Sequence, residues 1–283
     1  MILVTGATGH LGPMIIQSLL KTVPANQIVA AVRNPQKAES LKALGVQVRV
    51  ADYDDAHSWE KVFTGIDKLM LVSGSEVGKR FQQHKNVLEA AKKYGHLKLI
   101  VYTSLLRADT SNLVLAEEHR QTEELIKASG IPYSILRNGW YTENYVQSAK
   151  SAVEHGAVFG AVKEGRISSA PRKDYAEAAA KVLTMENPKP LYELAGDESY
   201  TLSDLAKEIS KQTGKDVKYT DLSETDYKAL LVKVGLPEPF AGVLAQSDVA
   251  ASKGGLYDET HDLSHLLGRK TTPMKETLPE FLN

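Results

Sequence analysis

Cysteine is absent from all 283 residues, which removes disulfides, thiolate nucleophiles and cysteine-held metals together. No apolar run approaches the ~20 residues that a helical membrane span requires, and a strand-like apolar run begins at Met1, leaving no room for a signal peptide. Charge of one sign is also missing. The 34 Lys and Arg residues balance 35 Asp and Glu, a formal net charge of −1, so the basic footprint of a nucleic-acid binder is not there. Internal repeats and low-complexity stretches are absent too. These exclusions leave a cytoplasmic protein with no membrane or nucleic-acid partner as the expectation. The chain is long enough to bury a large core, as one extended domain or as a large domain with a smaller lobe.

What is present is concentrated at the N-terminus. Met1 to Thr5 reads as a strand buried on both faces, glycines fall at positions 6, 9 and 12, and Leu11, Met14, Ile15, Ser18 and Leu19 then recur at helical spacing. Strand, glycine turn and helix start together suit a bound pyrophosphate. Gly6 takes the tight turn, Gly9 admits the phosphates close to the backbone, and Gly12 lets the helix pack against the strand. The N–H groups at the helix start then face the negative charge. Pro13 is tolerated because a first-turn residue has no intrahelical N–H bond to lose. A purely structural β–α turn is the rival reading.

The following segments alternate between apolar β-type runs and helical patterns. Strands are expected at 1–5, 28–33, 46–50, 68–72, 98–103 and 132–137, separated by helices at 36–44, 58–63 and 79–94 and by one ending at Lys127. That alternation predicts an α/β fold with a doubly wound parallel sheet of the Rossmann, NAD(P)-binding type. Residues 1–150 are the expected dinucleotide-binding domain. Residues 151–283 are expected to form a smaller α/β lobe that closes the cleft and is interleaved with the main sheet. In the lobe, 165–170 reads as a short strand, Asp174 as a helix cap, and His261 and His265 as an i,i+4 pair with too little around it for a metal site.

The end of the second strand decides between cofactors. An acidic residue there would bind the 2′-hydroxyl of NAD, whereas a cation favours the 2′-phosphate of NADP. The chain has Arg33 and no acid beside it, which points to NADPH, with an ordinary surface cation as the rival reading. Asp52 ends the third strand, placed either to approach adenine or simply to make a turn. After the sixth strand, Asn138, Trp140, Tyr141 and Asn144 bring two large aromatics and two amides to one loop. They suit a cap over a planar ligand or, on the rival reading, a plug in the core.

The spacing Gly6-x-x-Gly9-x-x-Gly12 after Thr5 resembles the extended and atypical branches of the short-chain dehydrogenase/reductase superfamily. The runs Tyr102–Leu106 and Leu136–Asn144 narrow this to the NmrA-like branch, and within it to the bacterial type 2 NAD(P)H:quinone oxidoreductases. The resemblance covers nearly the whole chain. It implies that Gly6, Ala7, Thr8, Gly9, His10 and Leu11 hold the pyrophosphate and that Arg33 holds the 2′-phosphate. It also implies that Ser73, Gly74 and Ser75 line the ribose–nicotinamide side, with Thr103 and Ser104 where the superfamily carries its Ser. Arg137, Asn138, Gly139, Trp140, Tyr141 and Thr142 would flank the nicotinamide.

One departure shapes the chemistry. The superfamily's catalytic Tyr-x-x-x-Lys is replaced at matching spacing by His119 and Glu123. Carbonyl reduction needs a proton donor for the alkoxide, whereas a quinone accepts hydride to give a weakly basic hydroquinone anion. The resemblance together with this loss implies direct hydride transfer from NADPH to a quinone, with Asn138 and Tyr141 as the catalytic residues and no metal. A homodimer is left open. Two rivals stand beside this reading: an NADP(H)-sensing regulator without catalysis, and a reductase or epimerase of a sugar or phenylpropanoid using His119 or Ser104 as acid. His119 is read as a helix-surface residue.

Overall fold

The computed structural model describes residues 1–282, and among them nine strands form. They are β1 (Ile2–Val4), β2 (Ile28–Val32), β3 (Gln47–Val50), β4 (Lys68–Leu71), β5 (Leu99–Leu105), β6 (Tyr133–Asn138), β7 (Ala157–Gly160), β8 (Leu191–Leu194) and β9 (Lys218–Asp221). Seven of them make one sheet in the order β3-β2-β1-β4-β5-β6-β8, with every pairing from β3 to β6 parallel. Every residue of β1, β2 and β5 is buried, as a parallel sheet covered on both faces demands. The chain winds from β1 outward to β3 and then returns to the other side of β1 with β4. The β1–β4 gap is therefore the switch point of the sheet, where such folds bind ligands. Thr5, fully buried, ties that point together: its hydroxyl donates to the Met70 carbonyl at 3.2 Å and accepts from the Val72 N–H at 2.9 Å.

The chain divides into two compact units. The first takes residues 1–108, 117–138 and 172–193, and the second takes 109–116, 139–171 and the described residues from Leu194 onward. The first unit thus draws a helix and a strand from well beyond residue 150. The helix Arg172–Thr184 is buried on most of its surface and packs along the helix Gly12–Leu19, while β8 adds the outer strand beside β6. Asp174 sits inside the first turn of that helix rather than at its cap, because the helix already begins at Arg172; a carboxylate there still faces the positive end of the helix dipole. The segment 58–63 is not a continuous helix but a short 3₁₀ turn, Ala56–Trp59, capped by the Asp55 carboxylate.

In the second unit β7 and β9 pair in parallel as a separate two-stranded sheet. The helix Leu202–Thr213 opens with a Thr201–Asp204 capping box and buries Leu202, Leu205, Ala206 and Ile209. No strand forms over 165–170. The backbone bonds of that segment are shared among three separate stretches (Trp140 and Thr142, Gly196 and Tyr200, and Leu256), so no single ladder can run through it. The helix Glu224–Lys233 has no buried residue and packs against Glu238–Ser252. Among the described residues no helix is long and apolar enough to cross a membrane.

The glycine turn shows how tightly the first unit is assembled. Gly6 has a left-handed backbone at φ 57°, and a Cβ added to Gly12 would lie 2.3 Å from the Gly6 carbonyl oxygen. Gly12→Ala should therefore lower stability by roughly 1–3 kcal/mol as the helix is pushed away. Urea unfolding of the two proteins measures this, and an unchanged midpoint would show that the close approach is dispensable.

Candidate active site

At the switch point the chain presents backbone rather than side chains. Ala7 and Leu11 are buried, Gly9 and His10 are exposed, and the Gly9 N–H donates to the Gly6 carbonyl at 3.0 Å. The helix Gly12–Leu19 begins without a side-chain cap, so its first N–H groups have no side-chain acceptor. A turn built this way fits a diphosphate: Gly9 is exposed, with only the Gly6 carbonyl oxygen within 4 Å of where a Cβ would stand, so its backbone is open to a ligand, and the helix start supplies partial positive charge. Arg33 lies one residue past β2, exposed, with no ion pair among the described residues, free to meet an anion. Asp52 is engaged in a turn, its carboxylate accepting from the Asp54 N–H at 3.1 Å.

The loop after β4 is held from beneath. The Ser73 N–H donates to the Thr103 hydroxyl at 2.8 Å, the Gly74 N–H to His84 Nε2 at 3.0 Å, and the Gly74 carbonyl accepts from Arg80 Nε at 2.7 Å. Glu118 accepts from the Gly78 N–H at 3.2 Å and from Arg80 Nη1 at 3.3 Å. Ser73 and Gly74 are half-buried and Ser75 is exposed. Arg80, His84 and Glu118 support this loop although no motif in the sequence marks them. The available signal was their spacing: Arg80 and His84 at i,i+4 on one helix and Glu118 and Thr122 at i,i+4 on another, both polar pairs on faces that must meet the sheet.

His119 is buried, which corrects its placement on a helix surface. Its Nδ1 is 2.7 Å from the Tyr102 hydroxyl. Burial holds His119 well below the usual histidine range, and the charge of Arg80 and the neighbouring His84 add to the effect, so the ring is neutral. Burial likewise raises the Tyr102 hydroxyl well above its ordinary value. Glu123 is also withdrawn from solvent. Arg137 grips it with two bonds, Nε to Oε1 at 2.9 Å and Nη2 to Oε2 at 2.8 Å, while the Ser104 hydroxyl donates to Oε1 at 2.6 Å. The third arm of Arg137 reaches Glu193 on β8 at 2.9 Å. At the positions where the resemblance would place a Tyr–Lys pair, this chain has a neutral imidazole and a carboxylate held by several donors. Ser104 has its proton committed to Glu123, so neither it nor His119 suits the role of acid in a sugar or phenylpropanoid reductase.

Beyond β6 the positions differ in character. The Asn138 carbonyl accepts from the Leu106 N–H at 2.9 Å and its side chain is buried. Gly139 and Trp140 are buried, Tyr141 is half-buried, and the Thr142 hydroxyl meets Ser169 Oγ at 2.8 Å in a buried chain continuing to Tyr200. Trp140 is withdrawn from solvent, whereas Tyr141 keeps part of its surface. The Arg137 side chain is engaged by Glu123 and Glu193, and its backbone lies within β6 between β5 and β8. Among the described residues no group of three or more His, Asp or Glu is arranged to hold a metal, and His261 directs Nδ1 to Asp197 at 2.9 Å.

Comparison with known proteins adds to this geometry. A family model described as the NmrA-like family matches residues 1–282. The chain is 54% identical over 284 residues to quinone oxidoreductase 2 of Escherichia coli (strain K12), covering 100% of this chain and 99% of that protein. The crystal structure of an NADPH-dependent quinone oxidoreductase from Escherichia coli in complex with NADPH superposes with a TM-score of 0.97 at 54% identity, covering 100% of each chain. The Citrobacter sp. triphenylmethane reductase complexed with NADP(H) gives 0.96 at 40% identity, again covering 100% of each.

The neutral state of His119 has a measurable consequence. Its folded pKa lies below the unfolded value of about 6.5, so its contribution to stability is complete above that pH and is lost as pH falls toward the folded value. Between pH 7.5 and 5.5 the wild type should lose about 1.4 kcal/mol more than His119→Gln, which has no proton to take up. Urea unfolding of both proteins at the two pH values checks this, and parallel losses would place a charged or solvated imidazole at 119.

Proposed function

The chain belongs to the NmrA-like family, and we propose that within it the chain is an NADPH-dependent quinone oxidoreductase that transfers hydride directly to a quinone. The observation that carries the reading is the state of the catalytic-pair positions: His119 buried and neutral, Glu123 locked to Arg137 and Ser104. A quinone is the acceptor that asks least of such residues. Full-length similarity to quinone oxidoreductase 2 of Escherichia coli supports the same substrate class.

NADPH, when bound, supplies the hydride. Gly6, Ala7, Thr8, Gly9, His10 and Leu11 hold its pyrophosphate, through backbone N–H groups above all, and Arg33 neutralises the 2′-phosphate. Ser73, Gly74 and Ser75, with Thr103 behind them, line the ribose side. Asn138 orients the acceptor. Tyr141, three residues further along the chain, or water supplies the proton to a hydroquinone oxygen that is far less basic than an alkoxide. Catalysis by these residues is chiefly positional, since nothing at 119 or 123 can donate a proton readily. The reading carries with it a cytoplasmic location, where reduced NADP is available, and leaves monomer or homodimer to be decided by light scattering.

Two measurements test it. Arg33→Ala should weaken NADPH binding roughly tenfold to a few hundredfold, the loss of charge-assisted bonds, and should affect NADH much less. Titrating both cofactors against both proteins decides this, and equal losses would place Arg33 outside the ribose pocket. In steady state, NADPH absorbance should decay rapidly with small benzo- and naphthoquinones and hardly at all with simple ketones. His119→Ala should lower the quinone kcat less than tenfold, short of the 10²–10⁴ expected for a lost general acid, and Asn138→Ala should cost more. Robust ketone turnover that collapses in His119→Ala would overturn the mechanism.

A further inference from the structure

We propose that His84 is a positioning residue for the cofactor: it fixes the Ser73–Ser75 loop in the one backbone geometry that receives the nicotinamide half, acting through the Gly74 peptide and without touching the ligand. This rests on the cofactor reading above.

The hydrogen bonds identify the proton state of the imidazole. Nε2 accepts from the Gly74 N–H at 3.0 Å, so it carries a lone pair. Nδ1 is 3.0 Å from the Thr122 hydroxyl, and that hydroxyl already donates its proton to the Glu118 carbonyl at 2.8 Å. Nδ1 must therefore hold the hydrogen and donate it to Thr122. The result is one tautomer with both nitrogens satisfied and the ring fully buried. Burial, aided by the Arg80 charge, pushes His84 down to about 3, so the acceptor on Nε2 persists throughout the neutral range.

The arrangement is more than core filling. An apolar side chain of similar volume would pack at position 84 with no polar group to satisfy. Instead, His84, Arg80 and Thr103 hold three successive backbone groups of one short loop: the Ser73 N–H, the Gly74 N–H and the Gly74 carbonyl. Peptide groups pinned this way cannot rotate to meet a ligand, so the ordering cost is met before the cofactor arrives. Losing the His84 bond would free the Gly74 peptide to turn. Binding through the glycine turn and Arg33, on the adenosine side, would be unaffected.

That division supplies the test. NADPH and 2′,5′-ADP, which carries the 2′-phosphate but no nicotinamide, are titrated calorimetrically against wild type, His84→Leu and His84→Gln. His84→Leu should weaken NADPH about tenfold and leave 2′,5′-ADP within twofold, and His84→Gln, whose amide oxygen can accept from Gly74, should recover NADPH to within threefold of wild type. Should His84→Leu fail to fold, His84→Met, which fills a similar volume and offers the Gly74 N–H only a weak thioether acceptor, should show the same split between ligands. Equal weakening of both ligands, or unchanged NADPH affinity, would overturn the proposal. A wild type that binds neither ligand would overturn the cofactor reading itself, and this inference with it.

Discussion

Arg137 and Glu123 face each other away from water, and the arrangement of the first unit's strand ends depends on their pairing. Two parallel bonds join guanidinium and carboxylate, and each partner reaches further: Arg137 to Glu193 on β8, Glu123 to Ser104 on β5. A helix and three strands are thereby fixed at the end of the sheet where ligands bind in this fold. Such a network stabilises only when complete, since a lone buried charge is costly. It also decides chemistry. A lysine at 123 would remove the carboxylate and set a second buried cation against Arg137.

The loss of a proton donor is thus a structural state and not simply a missing residue. His119 has the chemistry to donate, but burial next to Arg80 and His84 keeps it neutral. On the proposed reading, the reactions open to the site are those whose product is a weak base. A quinone meets that condition, and the similarity to quinone oxidoreductase 2 of Escherichia coli agrees with it.

Strands β1, β2, β4 and β5 were readable because a buried parallel strand writes itself as a continuous apolar run bounded by glycine, proline or a helical pattern. The edge strand β3, Gln47–Val50, instead has no buried residue and shows itself by alternating Val with polar residues. The glycine turn was readable for the same local reason. Contacts between distant positions were not. Glu193 meets Arg137 across 56 residues, and Glu118 meets Arg80 across 38, and no periodicity records such pairs. For His119, an isolated imidazole among Glu and Arg reads as solvated; only the neighbouring helix and β5 reveal that this face is inward. The strand at 165–170 failed because its β-type residues spend their hydrogen bonds on three different segments.

β8 and the helix Arg172–Thr184 arrive late in the chain yet complete the first unit. During synthesis, a ribosome that has released the first 150 residues has produced every strand of the cofactor cradle and still not a finished fold. β6 then has an open edge, Arg137 lacks the Glu193 carboxylate, and the helix Gly12–Leu19 exposes the face it will bury. The nascent protein must wait for about forty more residues before its oldest part is sealed, and in that interval an exposed strand edge is open to pairing with another chain.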